Sequence, residues 1–177
     1  MFSLEDLDKS IRRVPDFPKP GILFYDITSI LTNPKAFKFC IEKMVELYKN
    51  ANLDAVAAME SRGFLFASPL AERLGLPLLL IRKKGKLPGD VYSCSYSLEY
   101  GTATVEAHKA DIKKDSTYLL IDDLIATGGT FKAGCDIIKQ GGGKVVECFG
   151  VIGLPDLKFR EALAPVKVTT LIDYHGA

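Results

Sequence analysis

One segment constrains this chain more than any other: Leu119-Leu120-Ile121-Asp122-Asp123-Leu124-Ile125-Ala126-Thr127-Gly128-Gly129-Thr130. Its apolar start reads as a buried strand. Two adjacent carboxylates stand at the C-terminal end of that run, and a small, hydroxyl-rich glycine turn follows. Beyond the turn, Phe131, Cys135 and Ile138 recur at helical spacing, which predicts a helix over 129–140. A protein that grips a sugar phosphate needs these parts in this order. The helix N-terminus offers unpaired amides and the positive end of a dipole. Gly128 and Gly129 permit close backbone approach and positive φ. Thr127 and Thr130 add hydroxyl donors, and Asp122 and Asp123 can accept from vicinal sugar hydroxyls. Ordinary α/β proteins also end core strands in Asp and turn on Gly-Gly, so spacing alone leaves that reading open beside the sugar-phosphate one. Two rival phosphate motifs are missing. Gly143-Lys144 is followed by Val145, with Ile138 at the earlier glycine position, and no G-x-G-x-x-G follows a strand.

Length and charge narrow the class. A chain of 177 residues, 47% hydrophobic, is most simply one domain with a real core. Its net charge of +1 gives no global basic field for nucleic acid. Cys40, Cys94, Cys135 and Cys148 form no C-x-x-C pair, which argues for reduced thiols in a cytoplasmic protein rather than a metal site or disulfide frame. Glu5, Asp6 and Asp8 are unlike a signal peptide, and the longest apolar runs are too short to span a bilayer.

Periodicity and punctuation predict a first helix over 3–13, an extended proline-rich stretch, a short strand at 22–24 and a helix over 34–50. Strands follow at 54–59, 76–81, 102–107, 118–121, 145–152 and 166–172, with helices at 64–74, 129–140 and 156–163. Residues 82–97 show neither a helical nor a buried pattern and read as a long irregular excursion, of the kind that serves as a lid. The alternation of strand and helix predicts an α/β domain with a mostly parallel central sheet flanked by helices.

Other turns carry candidate chemistry. Glu60-Ser61-Arg62-Gly63-Phe64 repeats the strand, turn and helix-start geometry with an Arg in the turn. It suits a second phosphate or diphosphate, or an Arg that caps a sheet carboxylate. Arg82-Lys83-Lys84-Gly85-Lys86 is either a solvated run or, given its position after a strand, an anion clamp, and Leu87-Pro88-Gly89 supplies hinge chemistry. Glu99 alone reads as a solvated carboxylate, and Ile22-Leu23-Phe24 as ordinary packing or a face for a flat heterocycle. His108 and His175 are isolated and carry no assignment.

With these residues assembled, the chain resembles the type I purine phosphoribosyltransferases, and within them the adenine-using branch, from Pro15-Asp16-Phe17-Pro18 to the last strand. The 120–130 segment is similar to the family's phosphoribosyl diphosphate motif. Residues 60–64, 82–89 and 97–101 carry the resemblance to the adenine-using branch. The resemblance implies a single domain over 1–177, with an N-terminal helix and base-side hood at 1–33 and a mobile catalytic lid at 82–100. It implies transfer of a phosphoribosyl group to adenine with Mg²⁺ held mainly by substrate oxygens, giving AMP and diphosphate, in a homodimer. It also implies that Ala126, Thr127, Gly128, Gly129 and Thr130 hold the 5′-phosphate and that Asp122 and Asp123 hold the ribose. Ser61, Arg62, Arg82, Lys83 and Lys86 would face the diphosphate, Leu23 and Phe24 the base, and Glu99 with Tyr100 would serve catalysis. Two positions depart from the pattern. Tyr25 stands where relatives often carry a basic residue, and Ala67 where a glycine is common. A transferase for hypoxanthine, guanine or xanthine is the nearest alternative. A regulator that senses phosphoribosyl diphosphate, or an unrelated sugar-phosphate binder, is more distant.

Overall fold

The computed structural model describes residues 2–97 and 101–176. Its strands are β1 (Arg12–Pro15), β2 (Leu23–Asp26), β3 (Ala55–Met59), β4 (Leu78–Lys83), β5 (Val91–Ser97), β6 (Thr102–His108), β7 (Thr117–Ile125), β8 (Lys144–Gly153) and β9 (Lys167–Asp173). Its α-helices are α1 (Leu4–Ser10), α2 (Thr28–Leu31), α3 (Pro34–Tyr48), α4 (Arg62–Leu74), α5 (Gly129–Gln140) and α6 (Phe159–Leu163). The main sheet has the order β5-β6-β4-β3-β7-β8-β9. The run β4-β3-β7-β8-β9 is parallel, and the β5–β6 hairpin adds to β4 through antiparallel β6. The expected mostly parallel sheet flanked by helices is what forms.

Side-chain alternation divides the core in two. Val56, Ala58, Leu119 and Ile121 face α3 and α4, whereas Ala57, Met59, Leu120 and Cys148 face α5 and α6. A strand covered on both faces has no polar side, which is why β3 and the start of β7 are continuous apolar runs. Each fully buried Leu, Ile or Phe contributes about 1.5–3 kcal/mol. Helix ends follow local chemistry. Asn33 caps α3, its side-chain oxygen accepting from the Lys35 and Ala36 amides at 3.2 and 3.3 Å, and Pro34 follows at the first helical position. Gly75 ends α4 in the left-handed region.

Four expectations change. The first helix stops at Ser10 rather than continuing to residue 13, because residues 12–15 pair antiparallel with 23–26, Val14 opposite Phe24. The expected strand at 22–24 accordingly runs to Asp26. The last predicted helix splits into a 3-10 turn at Pro155–Leu157 and α6, separated by Lys158 at φ +58°. The irregular excursion over 82–97 is the largest correction. Val91–Ser97 is a strand paired along its length with β6, from Val91 opposite His108 to Ser97 opposite Thr102. Tyr92, Cys94 and Tyr96 alternate with Ser93, Ser95 and Ser97, a period-two pattern whose outward face is serine. Residues 91–97 are therefore strand rather than irregular loop. Among the described residues, no helix is long and apolar enough to cross a membrane.

Candidate active site

Two turns at the C-terminal ends of neighbouring parallel strands form the site. β7 runs through both carboxylates to Ile125, so Asp122 and Asp123 are strand residues, and both line the cavities formed here. After β7 the chain turns through Ala126 and Thr127 to Gly128, whose φ of +86° demands glycine. A Cβ there would also meet Leu163 Cγ at 3.2 Å. The first backbone bond of α5 runs from the Lys132 amide to the Gly128 carbonyl, 2.9 Å, so the Thr130 and Phe131 amides ahead of it are available to an anion, while the Gly129 amide donates to Thr127 Oγ1 at 3.4 Å. Arg62, Asp122, Asp123, Ala126, Thr127, Gly128, Gly129 and Thr130 share a cavity of ≈ 210 Å³ with Leu124 and Phe131.

The second turn links β3 to α4. β3 and β7 are adjacent, Ala58 opposite Ile121, which brings Ser61 and Arg62 to the carboxylates. Gly63 makes that approach possible: a Cβ on it would lie 2.8 Å from the Ile121 carbonyl oxygen. Glu60, Ser61, Arg62, Lys83, Tyr96, Asp122, Asp123 and Thr130 line a second cavity of ≈ 240 Å³ that shares four residues with the first.

The charges are arranged unequally. Arg62 Nε donates to Asp123 Oδ2 in a short ion pair, and Asp123 is only 3% exposed. Burial works against the Arg62 charge, but Asp123, with Asp122 and Asp26 farther off, holds its pKa above the ordinary value. Asp122 accepts the Asp123 amide at 2.8 Å. Burial, and then the negative Asp123, raise the Asp122 carboxyl well above the carboxylate range. Glu60 lies on the other side of its ordinary value. Burial opposes its charge, but the Lys83 amide at 2.7 Å and Arg82 Nη2 at 3.2 Å hold its pKa down.

The remaining expected residues divide. Lys83 lines the second cavity. Arg82 does not. It pairs with Glu60, donates to the Lys86 carbonyl at 3.3 Å, and keeps Nε buried without a partner among the described residues. Lys86 is exposed on the connection that leaves β4. Leu23 and Phe24 are half-buried on the small sheet, Phe24 edge-on to Phe17 at 5.0 Å, and line neither cavity. Tyr25 is buried and stacked on Tyr174 at 3.9 Å, so that position serves packing between the N-terminal sheet and the chain beyond β9. Ala67 is fully buried within α4. Glu99 and Tyr100 lie outside the described residues. Sequence reasoning gave no role to Glu60 or Tyr96. The alternation of 92, 94 and 96 was the available signal for Tyr96.

Comparison with known proteins agrees with this geometry. The phosphoribosyl transferase domain model matches residues 26–174. An adenine phosphoribosyltransferase of Treponema denticola is 58% identical over 176 residues, 98% of this chain and 93% of that protein. The chain belongs to the adenine phosphoribosyltransferase family. Solved family members share the fold. The Thermoanaerobacter pseudethanolicus enzyme superposes with a TM-score of 0.93 at 41% identity, covering 97% of this chain and all of that one. The Saccharomyces cerevisiae enzyme, solved with an imino-altritol bisphosphate and adenine, gives 0.88 at 35% identity, covering 95% and 97%.

Proposed function

We propose that this chain transfers the 5-phosphoribosyl group of phosphoribosyl diphosphate to adenine, giving AMP and diphosphate in purine salvage. The observation that carries the reading is that two anion-binding turns on adjacent parallel strands meet in one groove, with a carboxylate pair between them. The donor has a matching layout: a phosphate at one end, two vicinal hydroxyls, and a diphosphate at the other. Residues 126–130 would take the 5′-phosphate, Asp122 and Asp123 the ribose, and Ser61, Arg62 and Lys83 the diphosphate. Arg82 and Lys86 would add positive potential behind Lys83. Leu23 and Phe24 would flank adenine, and the relatives' names together with adenine in the yeast structure support that base.

The displacement builds positive charge on the ribose and negative charge on the departing diphosphate. A ribose hydroxyl that donates to Asp123 competes with Arg62 for that carboxylate, which frees the guanidinium for the diphosphate. A preorganised donor that meets such charge is worth about 2.7–4 kcal/mol of barrier. Glu99 would handle the proton at purine N7 with Tyr100 beside it. Residues near the closed end of the β5–β6 hairpin would exclude water, since Ser97 and Thr102 pair on the side of the sheet where the cavities lie.

Mg²⁺ fits the donor set, because this hard cation favours one or two carboxylates plus substrate phosphates over an all-protein cage. Asp122 and Asp123 stand beside the phosphate cradle, where a carboxylate oxygen could join the substrate oxygens that would hold the ion. When bound, the ion supplies Lewis-acid neutralisation of the diphosphate. A homodimer is supported by Leu65 on α4 and Leu80 on β4, exposed at 45% and 38% on the same side of the sheet. Four free cysteines support a cytoplasmic location.

Incubation with phosphoribosyl diphosphate, Mg²⁺ and a mixture of adenine, hypoxanthine, guanine and xanthine tests the reading. AMP with stoichiometric diphosphate is expected. A different nucleotide would replace adenine as substrate, and no nucleotide at all would remove the activity.

A further inference from the structure

We propose that Tyr96 binds the diphosphate of the sugar donor, its hydroxyl donating a hydrogen bond to a phosphoryl oxygen; the assignment rests on the phosphoribosyl-transfer reading above. Three observations converge. First, Tyr96 is the last inward-facing residue of β5, after Tyr92 and Cys94, and packs with them on the core beneath α5. Its ring rests at the first turn of that helix, where a Cβ on Gly129 would lie 3.8 Å from Tyr96 Cδ2. The side chain is therefore seated at its base. Second, it walls the cavity that Ser61, Arg62, Lys83 and Thr130 also line. Third, its hydroxyl is solvent-accessible and makes no hydrogen bond among the described residues.

The chemistry of that cavity indicates what the hydroxyl meets. Ser61, Arg62, Lys83 and Thr130 are all donors. The carboxylates present already accept: Glu60 from the Lys83 amide and Arg82, Asp123 from Arg62, and Asp122 from the Asp123 amide. The cavity lacks a ligand rich in acceptor oxygens, and a diphosphate is such a ligand. A phenol adds a donor to this set without adding charge. Its rigid ring loses little freedom in doing so. Tyr96 lines the cavity of Ser61 and Lys83 but not the one formed by Ala126, Thr127 and Gly128. That difference favours the diphosphate, although the ring edge also abuts Gly129 of the neighbouring cradle.

The test is Tyr96→Phe, which keeps the ring and removes the hydroxyl. A hydrogen bond to a charged acceptor predicts a fall on the order of 10–100-fold in kcat/KM for phosphoribosyl diphosphate. KM for adenine should be unchanged. Calorimetric titration of parent and variant with inorganic diphosphate and Mg²⁺ should show the same weakening, whereas binding of ribose 5-phosphate should be equal in both. Diphosphate binding equal in the two proteins, or undetectable in the parent, overturns the assignment; so does weakening confined to ribose 5-phosphate. A parent that turns over no purine base yet binds diphosphate through the hydroxyl would sink the transferase reading and leave this site standing.

Discussion

Asp122 and Asp123 are chemically identical neighbours in opposite electrostatic situations. Asp123 is neutralised by Arg62, whereas Asp122 is pushed toward its protonated form by burial and by Asp123 itself. An acid whose folded pKa is raised gives stability that is full below its unfolded pKa and is lost as pH rises through the folded value. Asp122→Asn should therefore raise the Tm of the unliganded protein at neutral pH, by about 2–4 °C per kcal/mol of repulsion relieved. The same change should weaken phosphoribosyl diphosphate binding, so scanning calorimetry and titration calorimetry would move in opposite directions. Arg62→Gln should do the reverse to stability. It leaves a buried carboxylate without its cation, a loss of about 1–3 kcal/mol, toward the lower end because the guanidinium is half exposed. Urea denaturation checks it. Glu60 has the opposite sign from Asp122. Its lowered pKa gives stability that is present above the ordinary carboxylate range and lost on acidification, and Glu60→Gln should flatten the acid limb of a Tm–pH profile. Glu99→Ala should lower kcat by about 10²–10⁴ with little change in donor affinity, which stopped-flow and binding assays separate.

At the scale of elements, the decisive contact is α4 against β7. Gly63→Ala would set a methyl group 2.8 Å from the Ile121 carbonyl oxygen and 3.1 Å from Asp122 Cα, both backbone. Neither can rotate aside, so a loss of about 1–3 kcal/mol is expected, with reduced donor affinity because the two turns are forced apart. Chemical denaturation and titration together would show it. This scale also explains what the chain disclosed beforehand. β3, β7, α3 and α5 were legible because buried strands and amphipathic helices write their period into hydrophobicity, and the turn after β7 because aspartate, glycine and threonine mark a strand end and a helix start. β5 was hidden, since serines on one face and aromatics on the other resemble a polar loop. α1 was overextended because Ile11 and Val14 continue a helical stripe although a partner strand captures residues 12–15. Arg82 was indistinguishable from its lysine neighbours in sequence, and only the fold turns it toward Glu60.

For the molecule as a whole, α4 covers β3 and β7 but leaves Leu80 exposed beyond it. Leu80→Asp should lower self-association, read by sedimentation velocity, while circular dichroism stays unchanged. The same layout governs which sugars can be held. The two candidate anion-binding turns are mounted on β3 and β7, which share a ladder from Ala55 and Tyr118 to Ala58 and Ile121, and β3 is buried at every residue. The span between them is set by the sheet before any ligand arrives. With phosphates in both turns, as proposed, the groove would work as a caliper with fixed jaws: a pentose phosphorylated at both ends would close the measurement, and one phosphorylated at a single end would touch one jaw at a time.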